Sequence, residues 1–468
     1  MGQTNIKEIP SALLVEQQMY MRGFAELEAR PHSYSIVTYG CQMNERDSET
    51  IAGMFKKMEM EEAADRESAD LVIFNTCCVR DNAQRRALGN VTWLKELKKV
   101  KPELLVAVCG CMMQQKGMAE QILRQYPFVD LAFGTSNLYR LPELLYRSVK
   151  EKKRVIEVLN EPEDFIPEDL PVLRVAGSQA YVTIMYGCNN YCSYCIVPYV
   201  RGRERSRDSS RILNEVCMLK KEGRKEIMLL GQNVNSYGLD RKGELSFAQL
   251  LKHVSDTGIE RIRFMTSHPK DLSDELIKVM ADSPNVCHSL HLPAQHGSDR
   301  ILSSMNRKYT REQYLEKVNR IRSRIPDISL STDLIVGYPG ESDEDFEELM
   351  SFVEQVRFDS AFTFIYSPRV GTRAAKMENQ IPPEVSSARI QQLISLQKEI
   401  TKDRLRGYVG QVHRVLVEAP SKRNVDEMSG KNEYNIMVNF PGDRSLMGQF
   451  VDVCILSANE TTLRGEMV

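Results

Sequence analysis

Short apolar runs alternate with longer polar segments of helical composition along most of the chain. Four apolar runs lie between residues 33 and 150, namely SYSIVTYG, DLVIFNT, ELLVAVCG and FVDLAFG. Segments such as SETIAGMFKKM and QRRALGNVTWLKELKKV, which separate these runs, have the composition of helices. This alternation is typical of βαβ units and predicts a parallel sheet. We therefore expect an N-terminal α/β domain over residues 33–150.

The same pattern repeats at a larger scale over residues 174–404. Six apolar runs, separated by helical segments, are strand candidates: AYVTIMYG, EIMLLGQ, RIRFMTS, SLHLPAQ, SLSTDLIVGYP and AFTFIYS. Six β-then-α units are too few for the closed eight-stranded barrel, so they predict an open (β/α)6 partial barrel. Active sites of such barrels lie at the carboxyl ends of the strands.

The remaining segments have other compositions. Residues 1–32 are polar and predict a solvated leader helix, and the charged, proline-bearing residues 151–173 predict a linker. Over residues 407–468 the short runs VGQVHRVLVEA, YNIMVNF, QFVDVCIL and LRGEMV predict a small all-β barrel.

Composition narrows the class of protein. The 468 residues are 42% hydrophobic and 27% charged, as in soluble globular proteins, and no apolar run is long enough to span a membrane. The formal net charge of −2 gives no overall attraction to nucleic acid, so any such contact must come from local patches. Eleven cysteines without a secretory leader indicate a reducing, cytoplasmic location and metal-binding or reactive thiols.

Cys188, Cys192 and Cys195 form the first candidate site. They are spaced C-x3-C-x2-C in an Asn- and Tyr-rich loop directly after the first predicted barrel strand. Three thiolates can hold three irons of a 4Fe–4S cluster and leave the fourth iron open to the amine and carboxylate of a small molecule. Structural zinc, the competing interpretation, usually takes four ligands. A further alternative is that the three cysteines are buried in an apolar core without binding a metal. The polar composition of the loop does not favour it.

Cys41, Cys77 and Cys111 form the second candidate site. Each follows one of the first three predicted strands, whose carboxyl ends share one edge of a parallel sheet. Spacing alone does not distinguish Cys77 from its neighbour Cys78. Four further cysteines lie in apolar contexts and are expected in the core: Cys109, Cys217, Cys287 and Cys454.

These motifs resemble a known family. C-x3-C-x2-C after the first strand of an open barrel resembles the radical S-adenosylmethionine superfamily, and GCNNYCSYCIVPYVRGRERSR resembles its methylthiotransferases. The resemblance extends from Ser33 to the C-terminus and includes GCQMN, NTCCVR, TSHPKDL, MNRKYTREQYL and DLIVGYPGE. The C-terminal barrel resembles the TRAM module. His296 departs from the pattern, in which a serine is expected at this position.

The resemblance implies an enzyme that thiomethylates isopentenyladenosine beside the anticodon of tRNA. It implies two 4Fe–4S clusters. The cluster on Cys188, Cys192 and Cys195 would cleave S-adenosylmethionine to a 5′-deoxyadenosyl radical. The auxiliary cluster on Cys41, Cys77 and Cys111 would carry sulfur, with Cys77 favoured over Cys78 because it follows Asn75-Thr76. The implied contacts to S-adenosylmethionine are Tyr194, Gln232, Asn233, Gln295 and Asp333.

Basic residues are the candidate contacts to tRNA. Arg201, Arg203, Arg205 and Arg207 alternate, so in an extended segment they would project to one side and could bind phosphates. In the C-terminal barrel the candidates are Lys422, Arg423 and Lys431. The competing interpretation for the arginines is a solvated charged face. For the C-terminal domain it is a small dimerisation or packing barrel.

Further expectations concern partners and alternatives. The partners would be the anticodon stem-loop of tRNA, an electron donor such as flavodoxin or ferredoxin, and a sulfur source, with the protein a monomer. Two alternatives change the substrate, to an aspartate of a ribosomal protein or to threonylcarbamoyladenosine in tRNA. A third is a non-catalytic metal- and RNA-binding protein, which metal content would distinguish.

Overall fold

The computed structural model describes residues 7–78, 81–159, 165–166, 168–175, 177–422, 424 and 426–468, and the following statements concern these residues. The strands are β1 (Lys7–Glu8), β2 (Ser33–Thr38), β3 (Glu61–Glu62), β4 (Leu71–Thr76), β5 (Leu105–Gly110), β6 (Leu131–Phe133), β7 (Val155–Glu157), β8 (Phe165–Ile166), β9 (Gln179–Thr183), β10 (Met185–Tyr186), β11 (Arg205–Ser206), β12 (Glu226–Leu230), β13 (Arg261–Phe264), β14 (Ser289–His291), β15 (Ser329–Val336), β16 (Ser360–Ile365), β17 (Val412–Pro420), β18 (Glu427–Lys431), β19 (Met437–Pro441), β20 (Phe450–Ala458) and β21 (Leu463–Met467).

The helices are α1 (Ser11–Ala25), α2 (Gln42–Lys57), α3 (Asp81–Val100), α4 (Met118–Gln125), α5 (Leu141–Glu151), α6 (Val197–Arg201), α7 (Ser209–Lys221), α8 (Phe247–Asp256), α9 (Asp274–Asp282), α10 (Asp299–Ser304), α11 (Arg311–Arg324), α12 (Asp343–Val356) and α13 (Pro383–Arg406). Within the described part of the chain, none is both long and apolar enough to cross a membrane.

The N-terminal domain is built on a six-stranded parallel sheet in the order β3-β2-β4-β5-β6-β7. All six residues of the interior strand β4 are buried, which explains the continuous apolar run LVIF. Helices α1, α2 and α5 contribute to the core on one face, and α3 and α4 contribute to the core on the other. The predicted α/β domain is therefore present.

Two expectations for the flanking segments were wrong. Helix α1 is not solvated, because Met21 and Phe24 are buried in the core beside α5. The predicted linker contains β7, which pairs with β6 as the sixth strand of the sheet. The segment is rich in charged residues, so its composition did not indicate this three-residue strand at the sheet edge.

The central domain is the predicted open barrel. Its six parallel strands form two halves, β9-β12-β13 and β14-β15-β16, and an isolated bridge between Ile262 and Val286 joins them. All six predicted strands are found, and α7, α8, α9, α11 and α12 match the predicted helices. The short helix α10 was not predicted.

The C-terminal domain is a closed barrel in the order β17-β18-β19-β21-β20. It has five strands rather than the predicted four. The additional strand β18 has the sequence EMSGK, in which Met428 is the single large apolar residue. The barrel rests on β13, whose Arg261 Nη1 donates to the backbone oxygen of Lys431 at 2.8 Å and whose Arg263 Nη2 donates to that of Asn432 at 2.5 Å.

Candidate active site

The first cysteine set lies in a loop at the end of the first barrel strand. Strands β10 and β11 pair antiparallel, so residues 187–204 leave and return at one place. Gly187 has a φ of +74°, and a Cβ there would lie 1.9 Å from the backbone oxygen of Arg203. Only glycine fits this close approach. The amide of Cys188 then donates to the backbone oxygen of Gly202 at 3.1 Å, which fixes the loop.

The three thiols of this loop are close neighbours in a buried setting. Burial raises the pKa of Cys188 and of Cys195 to about 12, and the nearby sulfur of Cys192 adds to both shifts. Asn190 Nδ2 lies 3.4 Å from the Sγ of Cys188, and Arg307 Nη1 lies 3.4 Å from the Sγ of Cys192. The free thiols of Cys188 and Cys195 are therefore protonated at neutral pH, and a metal centre would displace their protons on binding.

The second cysteine set lies at the carboxyl edge of the N-terminal sheet, where the strand order predicted it. Cys41 precedes α2, Cys77 follows β4 and Cys111 follows β5. The side chain of Asn44 lies between two of them, with its Oδ1 4.0 Å from the Sγ of Cys41 and 3.8 Å from that of Cys111. A Cβ on Gly40 would be 2.6 Å from the Cβ of Cys77, so Cys77 lies against the segment that carries Cys41.

Cys78 is also part of this second set. Its thiol donates to the sulfur of Cys111, which raises the pKa of Cys78 and lowers that of Cys111 to about 7. Both neighbours are buried, but Cys78 belongs to the apolar core that includes residues of α3, and Cys77 lies beside Gly40. Since Cys78 contacts Cys111 and Cys77 lies beside the residue that precedes Cys41, the choice of Cys77 stays a prediction.

The other cysteines separate into two groups. Cys109, inside β5, and Cys287 are buried, as expected for core residues. Cys217 is exposed and Cys454 is half-buried, so the expectation of core packing was wrong for both. Cys217 lies between Val216 and Leu219 of α7, which supply the buried face of that helix.

The donor chemistry of the two sets fits iron–sulfur clusters. No group of three or more His, Cys, Asp or Glu side chains in the described ranges is already arranged as a metal site. The first set nevertheless supplies three thiols in one loop, and the second supplies three at one edge of the sheet. The first set also has nitrogen donors close to two of its sulfurs. Thiolates that receive hydrogen bonds are typical ligands of such clusters.

The expected face of four arginines is not formed. The segment is not extended, because Arg201 ends helix α6 and β11 begins only at Arg205. Arg201, Arg205 and Arg207 are buried, and only Arg203 is exposed. The prediction that all four bind tRNA phosphates was therefore wrong for the three buried residues.

The buried arginines instead form contacts within the protein. Arg207 Nε donates to Glu168 at 2.8 Å, and its Nη1 donates to Glu215 at 2.8 Å. Arg201 Nη2 donates to Asp47 at 2.8 Å, across the boundary between the barrel and the N-terminal domain. The Arg201–Asp47 pair joins the first cysteine loop to α2 of the N-terminal domain, and the Arg207 pairs fix the end of that loop to Glu168 and to α7.

The predicted contacts to S-adenosylmethionine lie close to the carboxyl ends of the barrel strands. Tyr194 is half-buried and packs against a group of buried apolar side chains that includes Tyr338. Gln295 is buried and has a φ of +72°. Asp333 is partly exposed, with an oxygen 3.6 Å from His291 Nε2. Gln232 Oε1 is buried with no hydrogen-bond partner in the described part of the chain, which suits a residue that awaits a ligand.

Asn233 has a different role from the predicted one. Its Nδ2 donates to Asp271 at 2.7 Å, and its Oδ1 accepts from the amide of His268 at 3.1 Å. Both ends of the side-chain amide are thus used within the protein, and Asn233 is 1% exposed. Asn233 orders the loops after β12 and β13 and is not placed to bind a cofactor directly.

His296, the residue that departs from the family pattern, is fully buried after β14. Its Nδ1 accepts from the amide of Ser298 at 3.0 Å, and its Nε2 lies 3.5 Å from an oxygen of Glu341. Glu341 also accepts from Arg389 Nη1 at 2.8 Å. The imidazole is therefore one of a group of buried polar side chains that fixes the loop after β14.

The candidate tRNA contacts of the C-terminal barrel differ in exposure. Lys422 is exposed, and Lys431 is half-buried with its Nζ 4.0 Å from Glu418 Oε1. Arg423 lies outside the described residues.

Sequence reasoning missed three residues that contact the cysteines. Asn44 lies in the motif GCQMN, Asn190 in the cysteine loop and Arg307 in MNRKY, and all three motifs were recognised as wholes. Nothing in their spacing distinguishes a residue that contacts a thiol from one that shapes the loop.

Three family models match the chain in consecutive segments. The "Uncharacterized protein family UPF0004" matches residues 33–134, the "Radical SAM superfamily" matches residues 182–353 and the "TRAM domain" matches residues 406–468. These segments correspond to the sheet domain, the open barrel and the closed barrel.

Curated relatives match almost the whole chain. A tRNA-2-methylthio-N(6)-dimethylallyladenosine synthase of Clostridium tetani is 50% identical over 93% of this chain and 96% of its own length. The enzyme of the same name from Clostridium botulinum is 51% identical over 93% of this chain and 97% of its own.

A solved structure shares the fold at low identity. The radical S-adenosylmethionine methyltransferase TsrM from Kitasatospora setae, with cobalamin and a 4Fe–4S cluster bound, is 15% identical with a TM-score of 0.55, over 74% of this chain and 77% of its own. This likeness supports the fold alone. The identity and coverage of the curated relatives show that the chain belongs to the radical S-adenosylmethionine methylthiotransferases, in the family of the tRNA-2-methylthio-N(6)-dimethylallyladenosine synthases.

Proposed function

We propose that this protein converts N6-isopentenyladenosine, beside the anticodon of tRNA, to its 2-methylthio derivative. The observation that carries the proposal is the juxtaposition of two thiol sets. Cys188, Cys192 and Cys195 lie in a barrel loop whose following helix reaches Cys111 of the N-terminal domain. Sulfur insertion needs one centre that activates a C–H bond and another that supplies sulfur, and the relatives' names specify this reaction.

The barrel set would hold the cluster that binds S-adenosylmethionine. Such a cluster supplies one electron for the reductive cleavage of S-adenosylmethionine. The residues of the chain position this cofactor: Arg307 and Asn190 lie against the cluster thiols, and the partnerless Oε1 of Gln232 offers an acceptor at the barrel mouth. Tyr194, Gln295 and Asp333 are the remaining proposed contacts.

The sheet set would hold the auxiliary cluster. We assign its three ligands as Cys41, Cys77 and Cys111, each at the end of a strand or the start of a helix in one sheet edge. Asn44 spans two of these residues and restricts their separation. The role of the chain at this site is to present the sulfur-carrying centre towards the barrel.

The closed barrel would hold the tRNA. Lys422 and Lys431 are the proposed phosphate contacts, and the exposed Arg203 remains a candidate near the cysteine loop. The target base must leave its stack to reach the barrel mouth. A flavodoxin or ferredoxin as electron donor, a separate sulfur source, a monomeric state and a cytoplasmic location complete the proposal.

Nucleoside mass spectrometry of treated tRNA tests the function. The reconstituted enzyme, with S-adenosylmethionine and a reductant, should convert isopentenyladenosine to the methylthio form and leave threonylcarbamoyladenosine unchanged. Cys192→Ala should form no 5′-deoxyadenosine. Cys111→Ala should still form it without thiolation.

Iron content tests the proposed division of labour. Two four-iron clusters give about eight irons per chain after anaerobic reconstitution. Four or fewer irons with all six cysteines intact would contradict the two-cluster assignment, as would equal loss of 5′-deoxyadenosine in Cys111→Ala and Cys192→Ala.

A further inference from the structure

Arg201 lies between the two cysteine sets. It is the last residue of α6 and follows Cys195 by six positions in the chain. Its Nε donates to the Sγ of Cys111 at 3.0 Å, and its Nη2 donates to Asn44 Oδ1 at 2.9 Å and to Asp47 Oδ2 at 2.8 Å. A residue of the barrel loop is thus in direct contact with the edge of the N-terminal sheet.

Helix α6 is fixed in this position by the N-terminal domain. Ile196 and Val200 are buried in the apolar core that also contains Cys78 and Cys111. Thr135 Oγ1 of the N-terminal domain donates to the backbone oxygen of Val200 at 2.8 Å. Because α6 begins two residues after Cys195 and is anchored to the N-terminal domain, it connects the first cysteine set to the edge that carries the second.

The charge balance around Arg201 distinguishes it from an ordinary ion pair. The Arg201 side chain is 6% exposed, and a buried charge of this kind is stable only when it is paired and hydrogen-bonded. Asp47 supplies one carboxylate, Asn44 supplies a neutral amide oxygen, and the contact of Nε is to the sulfur of Cys111. The positive charge and the N–H group therefore act on whatever negative charge the Cys111 thiolate and its bound centre carry.

We propose that Arg201 is a positioning residue that raises the reduction potential of the auxiliary cluster through its hydrogen bond to Cys111. Hydrogen bonds to cluster sulfurs and nearby positive charge stabilise the reduced, more negative form. The inference rests on the proposed assignment of Cys111 as a cluster ligand, and it adds that the barrel loop itself tunes the second cluster.

A redox titration followed by electron paramagnetic resonance tests the proposal. The parent carries alanine at Cys188, Cys192 and Cys195, so that only the auxiliary cluster is observed. In this parent, Arg201→Met should keep about four irons per chain and shift the midpoint potential downwards. Arg201→Lys, which keeps the charge and changes the hydrogen bond, should shift it less.

Two controls separate the effect from general disturbance. Arg66→Met removes a guanidinium of the N-terminal domain, where it contacts Asn90 and Trp93. This variant should leave the midpoint potential of the auxiliary cluster unchanged. In the reverse parent, with alanine at Cys41, Cys77 and Cys111, Arg201→Met should leave the midpoint of the barrel cluster unchanged.

Each outcome distinguishes the inference from the function beneath it. A parent without auxiliary iron would overturn the proposed function. A parent with about four irons whose midpoint is the same in Arg201→Met would overturn the inference alone. If Arg201→Met holds no iron, Arg201→Lys decides, since a midpoint equal to that of the parent contradicts the proposal and a lowered one supports it.

Discussion

Gly40 leaves no room for a side chain beside Cys77. A Cβ on Gly40 would lie 2.6 Å from the Cβ of Cys77 and 3.1 Å from the Nδ2 of Asn44. The φ of Gly40 is +141°, a conformation that other residues rarely adopt. Since Cys41 is the next residue, this close approach brings two cysteines of the sheet set together.

Gly40→Ala should therefore remove the auxiliary cluster. The added methyl group pushes Cys77 and Asn44 away from Cys41, and a cluster requires its ligands within narrow limits of distance. We expect iron to fall from about eight to about four per chain, while 5′-deoxyadenosine formation continues. Iron analysis and product chromatography on the same sample measure both.

Gly117→Ala is the matched control for this variant. Gly117 also has a positive φ, +83°, but a Cβ there would meet nothing within 4 Å. It imposes comparable backbone strain without a clash and should keep both clusters. Full iron in Gly40→Ala would show that the cysteine set tolerates the displacement.

The neighbours Cys77 and Cys78 should differ in their effect on iron. If Cys77 is the ligand, Cys77→Ala removes the auxiliary cluster, and Cys78→Ala removes a buried thiol that contacts Cys111 but does not bind the cluster. We expect about four irons in the first variant and about eight in the second. The reverse result, measured after identical reconstitution, would assign the ligand to Cys78.

Most of the fold followed from the sequence because apolar periodicity reports it directly. Strand runs such as LVIF and IMLL are buried on both faces, so their character survives without knowledge of the tertiary structure. The cysteine sets followed for a related reason. Cys41, Cys77 and Cys111 each end an apolar run or directly follow it, and parallel strands bring their carboxyl ends to one edge.

The arginines could not be placed in this way, because their partners are distant in the sequence. Asp47 lies 154 positions before Arg201, and Glu168 lies 39 positions before Arg207. An alternating run of arginines has the same pattern whether it faces phosphates or buried carboxylates. The two cases differ only in which element packs against the run.

Lys422 should contribute to tRNA affinity and its salt dependence. Lys422 is exposed in the closed barrel, and each lost phosphate contact lowers the salt slope of binding by about 1. Lys422→Ala should therefore weaken binding most at low salt. Lys431→Ala should have a smaller effect, because Glu418 lies 4.0 Å from its Nζ.

Filter binding over a series of salt concentrations measures the slope. Lys278→Ala is the control, since Lys278 lies on α9 of the barrel domain and pairs with Asp282. A slope that is unchanged in Lys422→Ala but reduced in Lys278→Ala would place the tRNA on a different surface.

Glu215 connects three segments of the chain and should control stability at their junction. It accepts from Arg207 Nη1 at 2.8 Å, from Arg46 Nη2 of α2 at 3.3 Å, and from Arg174 before the barrel. Glu215→Gln leaves these buried guanidinium groups without their shared charge. Breaking a buried pair in this way typically costs 3–5 kcal/mol, and we expect about 3 kcal/mol here because glutamine keeps part of the hydrogen bonding.

The pH dependence of stability gives this prediction its sign. Burial alone would raise the pKa of Glu215, but the charges of Arg207, Arg46 and Arg174 outweigh it and hold the pKa below its ordinary value of 4.5. A carboxyl whose pKa is lower in the folded state stabilises the fold above the unfolded pKa, and this contribution is lost as the pH falls below it. The difference in Tm between the native protein and Glu215→Gln should thus be full at pH 7 and shrink below about pH 4.5.

Glu316→Gln, which removes an exposed partner of Arg320, should leave Tm unchanged at both pH values. A Tm difference for Glu215→Gln that grows as the pH falls would mean that Glu215 is not the charged partner of these arginines.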